Sequence, residues 1–148
     1  MEPRNVLSTS SFRKEPRALM TASTGLTPDI IASKLFSYHS WAHLYHLQTT
    51  SFAQHKMLEG LYEALEDSKD SICEYLLGVQ IPMRFGNIVM EQPEPFSDQV
   101  LVKFLDDGFN FSVSLISYGN SCNFEQLSNL ASELQGTFIR AKYLNSLK

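Results

Sequence analysis

From Ser51 to Leu77 the chain carries no proline, and its apolar residues recur with the helical period. At about 100° per residue, Met57, Leu58, Leu61, Ala64, Leu65, Ile72 and Leu76 fall on one side of such a helix. A single helix of that length cannot cover its own apolar stripe, so the rest of the chain must supply helices or a sheet to pack on it. The opposite side carries His55, Glu59, Asp70 and Glu74. Within His55/Glu59 and within Asp70/Glu74 the spacing is i,i+4, so both side chains of a pair project together. An imidazole and carboxylates in that arrangement can hold a divalent metal.

One helix cannot bring the two pairs to one ion. His55 and Asp70 are fifteen residues apart, roughly 22 Å on a straight helix. Two copies packed antiparallel about a two-fold axis would instead set the His/Glu end of one against the Asp/Glu end of the other. Such a dimer contains two equivalent sites. His43, on the preceding helix, can lean into the same site.

The run His43-x11-His55-x3-Glu59-x10-Asp70-x3-Glu74 resembles the ferroxidase signature of Dps, the miniferritins that protect DNA and store iron. Glu59 stands where Asp is more usual. The surrounding Ala42-His43, His55-x-Met57-Leu58-Glu59-Gly60 and the closing Leu77-Gly78 with Pro82 are also similar. The resemblance covers about Ala42 to Pro82. Leu44, Tyr75 and the position of Phe52 depart from it, where the family has a Trp, an Arg and a Phe one place further from the second His. The resemblance implies a ferritin-like antiparallel four-helix bundle with a long crossover loop. It also implies a homo-oligomer, a shell of twelve chains built from two-fold dimers. Its chemistry would be binding of Fe²⁺ by His43, His55, Glu59, Asp70 and Glu74 between subunits, oxidation by peroxide or oxygen, and storage of the ferric product.

With 148 residues, 43% hydrophobic and 19% charged, the chain is long enough for one domain with its own core. The net charge of −4 argues against a nucleic-acid binder that uses its whole surface. Cys73 and Cys122 make no disulfide framework. No apolar run reaches membrane-span length and no signal peptide is visible, so a cytoplasmic protein is expected.

Residues 1–26 are rich in Ser and Thr and read as a flexible tail, weakly basic through Arg4, Arg13, Lys14 and Arg17. Contact with DNA through this tail is one alternative function. A ferritin-like structural or assembly protein with vestigial ligands is the other. Residues 27–148 read as the bundle domain.

Thr27-Pro28-Asp29 reads as a helix start, with Thr as N-cap and Pro at the first helical position. That helix should run to about Gln48, with His39, His43 and His46 along the edge of its apolar side. His39 and His46 read as boundary histidines with ordinary hydrogen-bond partners. Residues 83–97 read as the crossover. Residues 98–118 fit both a hairpin, through Asp106-Asp107-Gly108, and a helix; the helix is preferred because a lone hairpin pairs poorly with two long helices. Gly119-Asn120 should end it, and Asn123 with Gln126 reads as a capping box opening the last helix.

Overall fold

The computed structural model describes residues 24–79 and 84–147. Among the described residues there are four α-helices: α1 Pro28–Gln48, α2 Phe52–Val79, α3 Asp98–Ser121 and α4 Glu125–Ser146. No strand occurs among the described residues. Of the expected tail, residues 1–23 lie outside the described region, as does Pro82. Leu26, at the other end of the expected tail, is already buried against the core.

The helix starts follow from local chemistry. Thr27 caps α1, its hydroxyl accepting the Ile30 amide at 3.3 Å, with Pro28 in the first turn. Ser97 caps α3 in the same way, accepting from Val100 at 3.1 Å. Residues 98–118 are helical throughout, and Leu101, Phe104, Leu105, Phe111 and Leu115 line one buried face. The hairpin alternation is thus overridden by tertiary packing.

Two details of the α3–α4 junction differ from the sequence reading. Gly119 does not stop α3; the helix continues to Ser121. Its lack of a side chain serves close approach instead, since a Cβ there would lie 2.5 Å from Ser128 Oγ and 2.9 Å from Ser128 N. Asn123 does not cap α4 either. It adopts a left-handed conformation at φ 56°, with the Phe124 amide on the Gly119 carbonyl and the Asn123 amide on the Asn120 carbonyl. This is a Schellman closure of α3, in which Asn tolerates the positive φ. Helix α4 then opens at Glu125 without a side-chain cap.

Helix α1 packs along α2, α3 along α4, and α2 lies against α4, while α1 and α3 touch only thinly. Helix α2 runs back along α1. The chain then returns, and α3 starts beside the start of α2, where Gln54 Nε2 donates to Asp98 Oδ1 at 2.8 Å. Helix α4 starts beside the far end of α2, with Tyr75 and Phe124 edge to face. Helices α1 and α4 therefore point one way, α2 and α3 the other.

The return segment is strapped to α1. Asp29, Ser33, Ser37, Trp41 and Tyr45 stand four residues apart and hold it in turn. Asp29 accepts the Gly86 and Asn87 amides, each at 3.0 Å. Ser33 and Ser37 accept the amides of Val89 and Glu91 at 2.9 and 3.2 Å. The Trp41 indole and the Tyr45 hydroxyl donate to the carbonyls of Glu91 and Glu94 at 3.0 and 3.1 Å. Strap and aromatic rings together fill the thin α1–α3 seam. Tyr38 touches Trp41, Phe104, Phe111 and Phe138, and Tyr45 touches Phe96 and Phe104. Phe138 reaches this cluster across Gly108, where a Cβ would come within 2.2 Å of its ring.

Candidate metal centre

The histidines gather on the flank of α1 turned toward α2, away from the strap. Thr49, Thr50 and Ser51 join the two helices so tightly that the last turn of α1 faces the first turn of α2. There His46 and His55 stack, ring centroids 3.8 Å apart. Each ring hydrogen-bonds to the other residue's backbone. His46 Nδ1 lies 3.0 Å from the His55 carbonyl oxygen, and His55 Nδ1 lies 3.0 Å from the His46 carbonyl oxygen. A carbonyl can only accept, so both Nδ1 atoms carry the proton. In the neutral rings both Nε2 atoms then hold a lone pair, the form in which imidazole binds metal.

This pair also has a structural task. The carbonyl of His46 lies in the last turn of α1, where no helical amide reaches it. The ring of His55 supplies the missing donor and closes the hairpin. His46 itself is buried.

The five residues singled out from the sequence are distributed as follows. His55 is half-buried in the stacked pair. Glu59, one turn along α2, forms an ion pair with Lys56. Its carboxyl is held below the usual range, first by the hydrogen bond from Lys56 and then by that residue's charge, with smaller contributions from His46 and His55. His43 is exposed and stacks on Tyr62 with centroids 4.4 Å apart. Its other ring neighbour is His46 at 6.2 Å, so His46, and not His43, is the imidazole against His55. Asp70 and Glu74 are exposed, about three and four turns beyond Glu59 along the unbroken α2. Among the described residues no group of three or more His, Cys, Asp and Glu side chains within the single chain could hold a metal ion.

Three neighbours complete the face. His39 has its pKa lowered, first by burial and next by Lys69, with Glu66 and Asp70 acting in the opposite sense. Lys69 is buried, with its ammonium 5.0 Å from the centre of the Phe36 ring. Cys73 is buried, and its thiol is pushed up to about 11, chiefly by that burial. Sequence reasoning passed over His46 as a boundary residue. The signal available was its position in the last turn before a three-residue connection, which forces it against the first turn of α2.

Residues 46–144, about two thirds of the chain, match a protein family described as a family of unknown function (DUF5856). The chain belongs to the DUF5856 family. No curated protein and no solved structure matches it. The matched DUF5856 span opens at His46 and contains His55, Glu59, Asp70 and Glu74, while His43 precedes it. No helix among the described residues is long and apolar enough to cross a membrane.

Proposed function

We propose that this DUF5856 protein is a ferritin-like, Dps-like iron-binding protein that oxidises and sequesters Fe²⁺ at a site shared between two chains. Iron is the substrate. His43, His55 and Glu59 of one chain, with Asp70 and Glu74 of a second, would supply two nitrogen donors and three hard oxygen donors. Oxygen donors favour the ferric product over the ferrous substrate. Electrons released by iron would pass to peroxide or oxygen, and a shell of copies, twelve in the Dps arrangement, would retain the mineral.

The observation that carries the reading is the hydrogen bond from His55 Nδ1 to the His46 carbonyl. Metal-binding imidazoles are oriented in this way, one nitrogen held by a carbonyl and the other presenting its lone pair. Further support comes from the order of the helices around the bundle, α1-α2-α4-α3, with one crossover between α2 and α3, the connectivity of ferritin-like folds. Among the described residues of one chain no three ligand side chains gather, and a site completed by a second chain fits that distribution. Contact with DNA through the tail would involve residues 1–23, outside the described region.

The test separates the structural role of His55 from the metal role. His55→Asn keeps a donor near the position of Nδ1 and removes Nε2. It should fold with near-native stability and lose rapid iron oxidation. Asp70→Ala should lose it as well, since each variant empties one ligand position in both symmetric sites. Refolded mixed dimers of the two should recover about half the sites, one site collecting both substitutions. Full activity in His55→Asn, or no recovery in verified mixed dimers, would refute the shared site. A stable oligomer that takes up no iron would leave an assembly protein as the reading.

A further inference from the structure

The outward side of α4 has no partner among the described residues. Asn129, Ser132, Gly136, Ile139 and Tyr143 recur at alternating spacings of three and four, all of them exposed. That is the spacing of a helix-pairing seam. Ile139, Tyr143 and Leu147 are 50%, 61% and 62% exposed, high values for large apolar side chains in a helix. Around a Cβ placed on Gly136 there is nothing within 4 Å.

We propose that this face binds a second copy of the chain, the two α4 helices crossing antiparallel about a two-fold axis at Gly136. The two halves of the seam differ in size. Its first half carries Asn129, Ser132 and Gly136; its second carries Ile139, Tyr143 and Leu147. An antiparallel pair lays the large half of each helix on the small half of the other. A parallel pair would set Tyr143 on Tyr143 and leave a gap at Ser132 and Gly136.

Charge makes the same choice. Glu133 and Arg140 lie on one flank of the seam, the flank toward α2, and neither forms an ion pair among the described residues. On the other flank Lys142 is already held by Asp106 at 2.7 Å and lies over the Phe109 ring. In an isologous antiparallel pair each flank meets its own copy. The midpoint between Glu133 and Arg140 falls between Gly136 and Thr137, one residue from the boundary of the small and large halves between Thr137 and Phe138. Glu133 of each chain therefore meets Arg140 of the other, twice. In a parallel two-fold pair opposite flanks meet, so Glu133 would not face Arg140.

The experiment is disulfide trapping at the axis. Helices meeting on glycine approach to about 8 Å between axes. With Cα atoms on cylinders of about 2.3 Å radius, facing positions 136 lie about 3.4 Å apart at that separation and about 5.4 Å apart at about 10 Å, a range that overlaps the roughly 4.4–6.8 Å a disulfide spans. Gly136→Cys should therefore give a covalent dimer under mild oxidation, while Cys73 and Cys122, both buried, stay reduced. Adding Glu133→Arg should abolish most of the cross-link, and adding Arg140→Glu as well should restore it. Circular dichroism confirms that each variant is folded. A two-fold contact through α2 is indifferent to this charge exchange, so the result stands or falls apart from the iron site. Absence of the cross-link, or a cross-link insensitive to either charge reversal, overturns the pairing. A cross-link that forms only after residues 1–23 are removed overturns it too, because the occupant would then be that segment.

Discussion

Gly108 offers the sharpest test of how the bundle is packed. Replacing it by Ala adds one methyl group, which would lie 2.2 Å from both Cε1 and Cζ of Phe138 and 2.7 Å from Cδ1. Contact between carbons is comfortable at about 3.5–4.0 Å, so the overlap exceeds an ångström. Phe138 cannot swing clear, because it is fully buried and in ring contact with Tyr38 and Phe104. Either α3 and α4 part or the ring leaves its rotamer. Forced overpacking of this kind costs about 1–3 kcal/mol. Against it stands the helix preference of Ala over Gly, about 1 kcal/mol in favour of the variant. The net expectation is a loss of about 0–2 kcal/mol. Gly60 is the matched control, a helical glycine with nothing within 4 Å of its would-be Cβ. Gly60→Ala should gain about 0.5–1 kcal/mol. Urea unfolding followed by circular dichroism measures both. Phe138→Leu should also be less damaging in the Gly108→Ala background than in the native one. If Gly108→Ala is as stable as Gly60→Ala, the close approach of α4 to α3 is wrong.

Other expectations concern the strap, the α3 closure and the histidine face. Ser33→Ala and Ser37→Ala should each cost about 0.5–1.5 kcal/mol, and together should speed amide exchange at Val89 and Glu91. Trp41 is the only tryptophan, so release of the strap should also shift the emission spectrum; an unchanged exchange rate would argue against the ladder. Asn123→Ala should destabilise by roughly 1 kcal/mol and Asn123→Gly should not, because only the first strains a positive φ. His39 has its folded-state pKa lowered from the ordinary 6.5, mainly by burial, so the unfolded chain binds the extra proton first. Stability should therefore fall as pH drops below about 6.5 toward the lowered folded value. His39→Gln should flatten that part of the profile, with Lys69, Glu66, His43 and Asp70 as the charges facing it.

Helix positions could be read from the sequence wherever a cap and an apolar period coincided, as at Thr27 and along α2. Residues 98–118 satisfied two periods at once, and only the presence of three other helices to pack on decides between them. Asn123 was ambiguous for a different reason. The residue that suits an N-cap also tolerates a left-handed C-terminal position, and the choice depends on how closely Gly119 approaches α4. The strap escaped the sequence reading because its ladder mixes residue types. Trp41 and Tyr45 count as apolar by period, yet each turns a polar atom toward the Glu91 or Glu94 carbonyl. Of the candidate site, the i,i+4 pairs on α2 were visible. The substitution of His46 for His43 beside His55 was not, because it depends on the depth of the hairpin turn.

The strap works as a ruler with two unequal scales. Four helical residues advance about 6.0 Å and turn the next rung by about 40°, whereas two extended residues advance about 6.6–6.8 Å. From Asp29 to Ser37 the mismatch reaches over an ångström, and at Trp41 the ladder changes from amides to carbonyls, reached by longer side chains. The extended chain is thus wound part-way around α1 as it climbs, from the outer surface into the seam with α3. Its length is consequently quantised. Losing one residue between Asn87 and Glu91 would turn every following amide away from its serine, whereas losing two would keep the facing and shorten the reach by one rung. A segment that looks in sequence like a tolerant connection therefore accepts changes in steps of two, and natural or engineered variants of this loop should differ in length by even numbers.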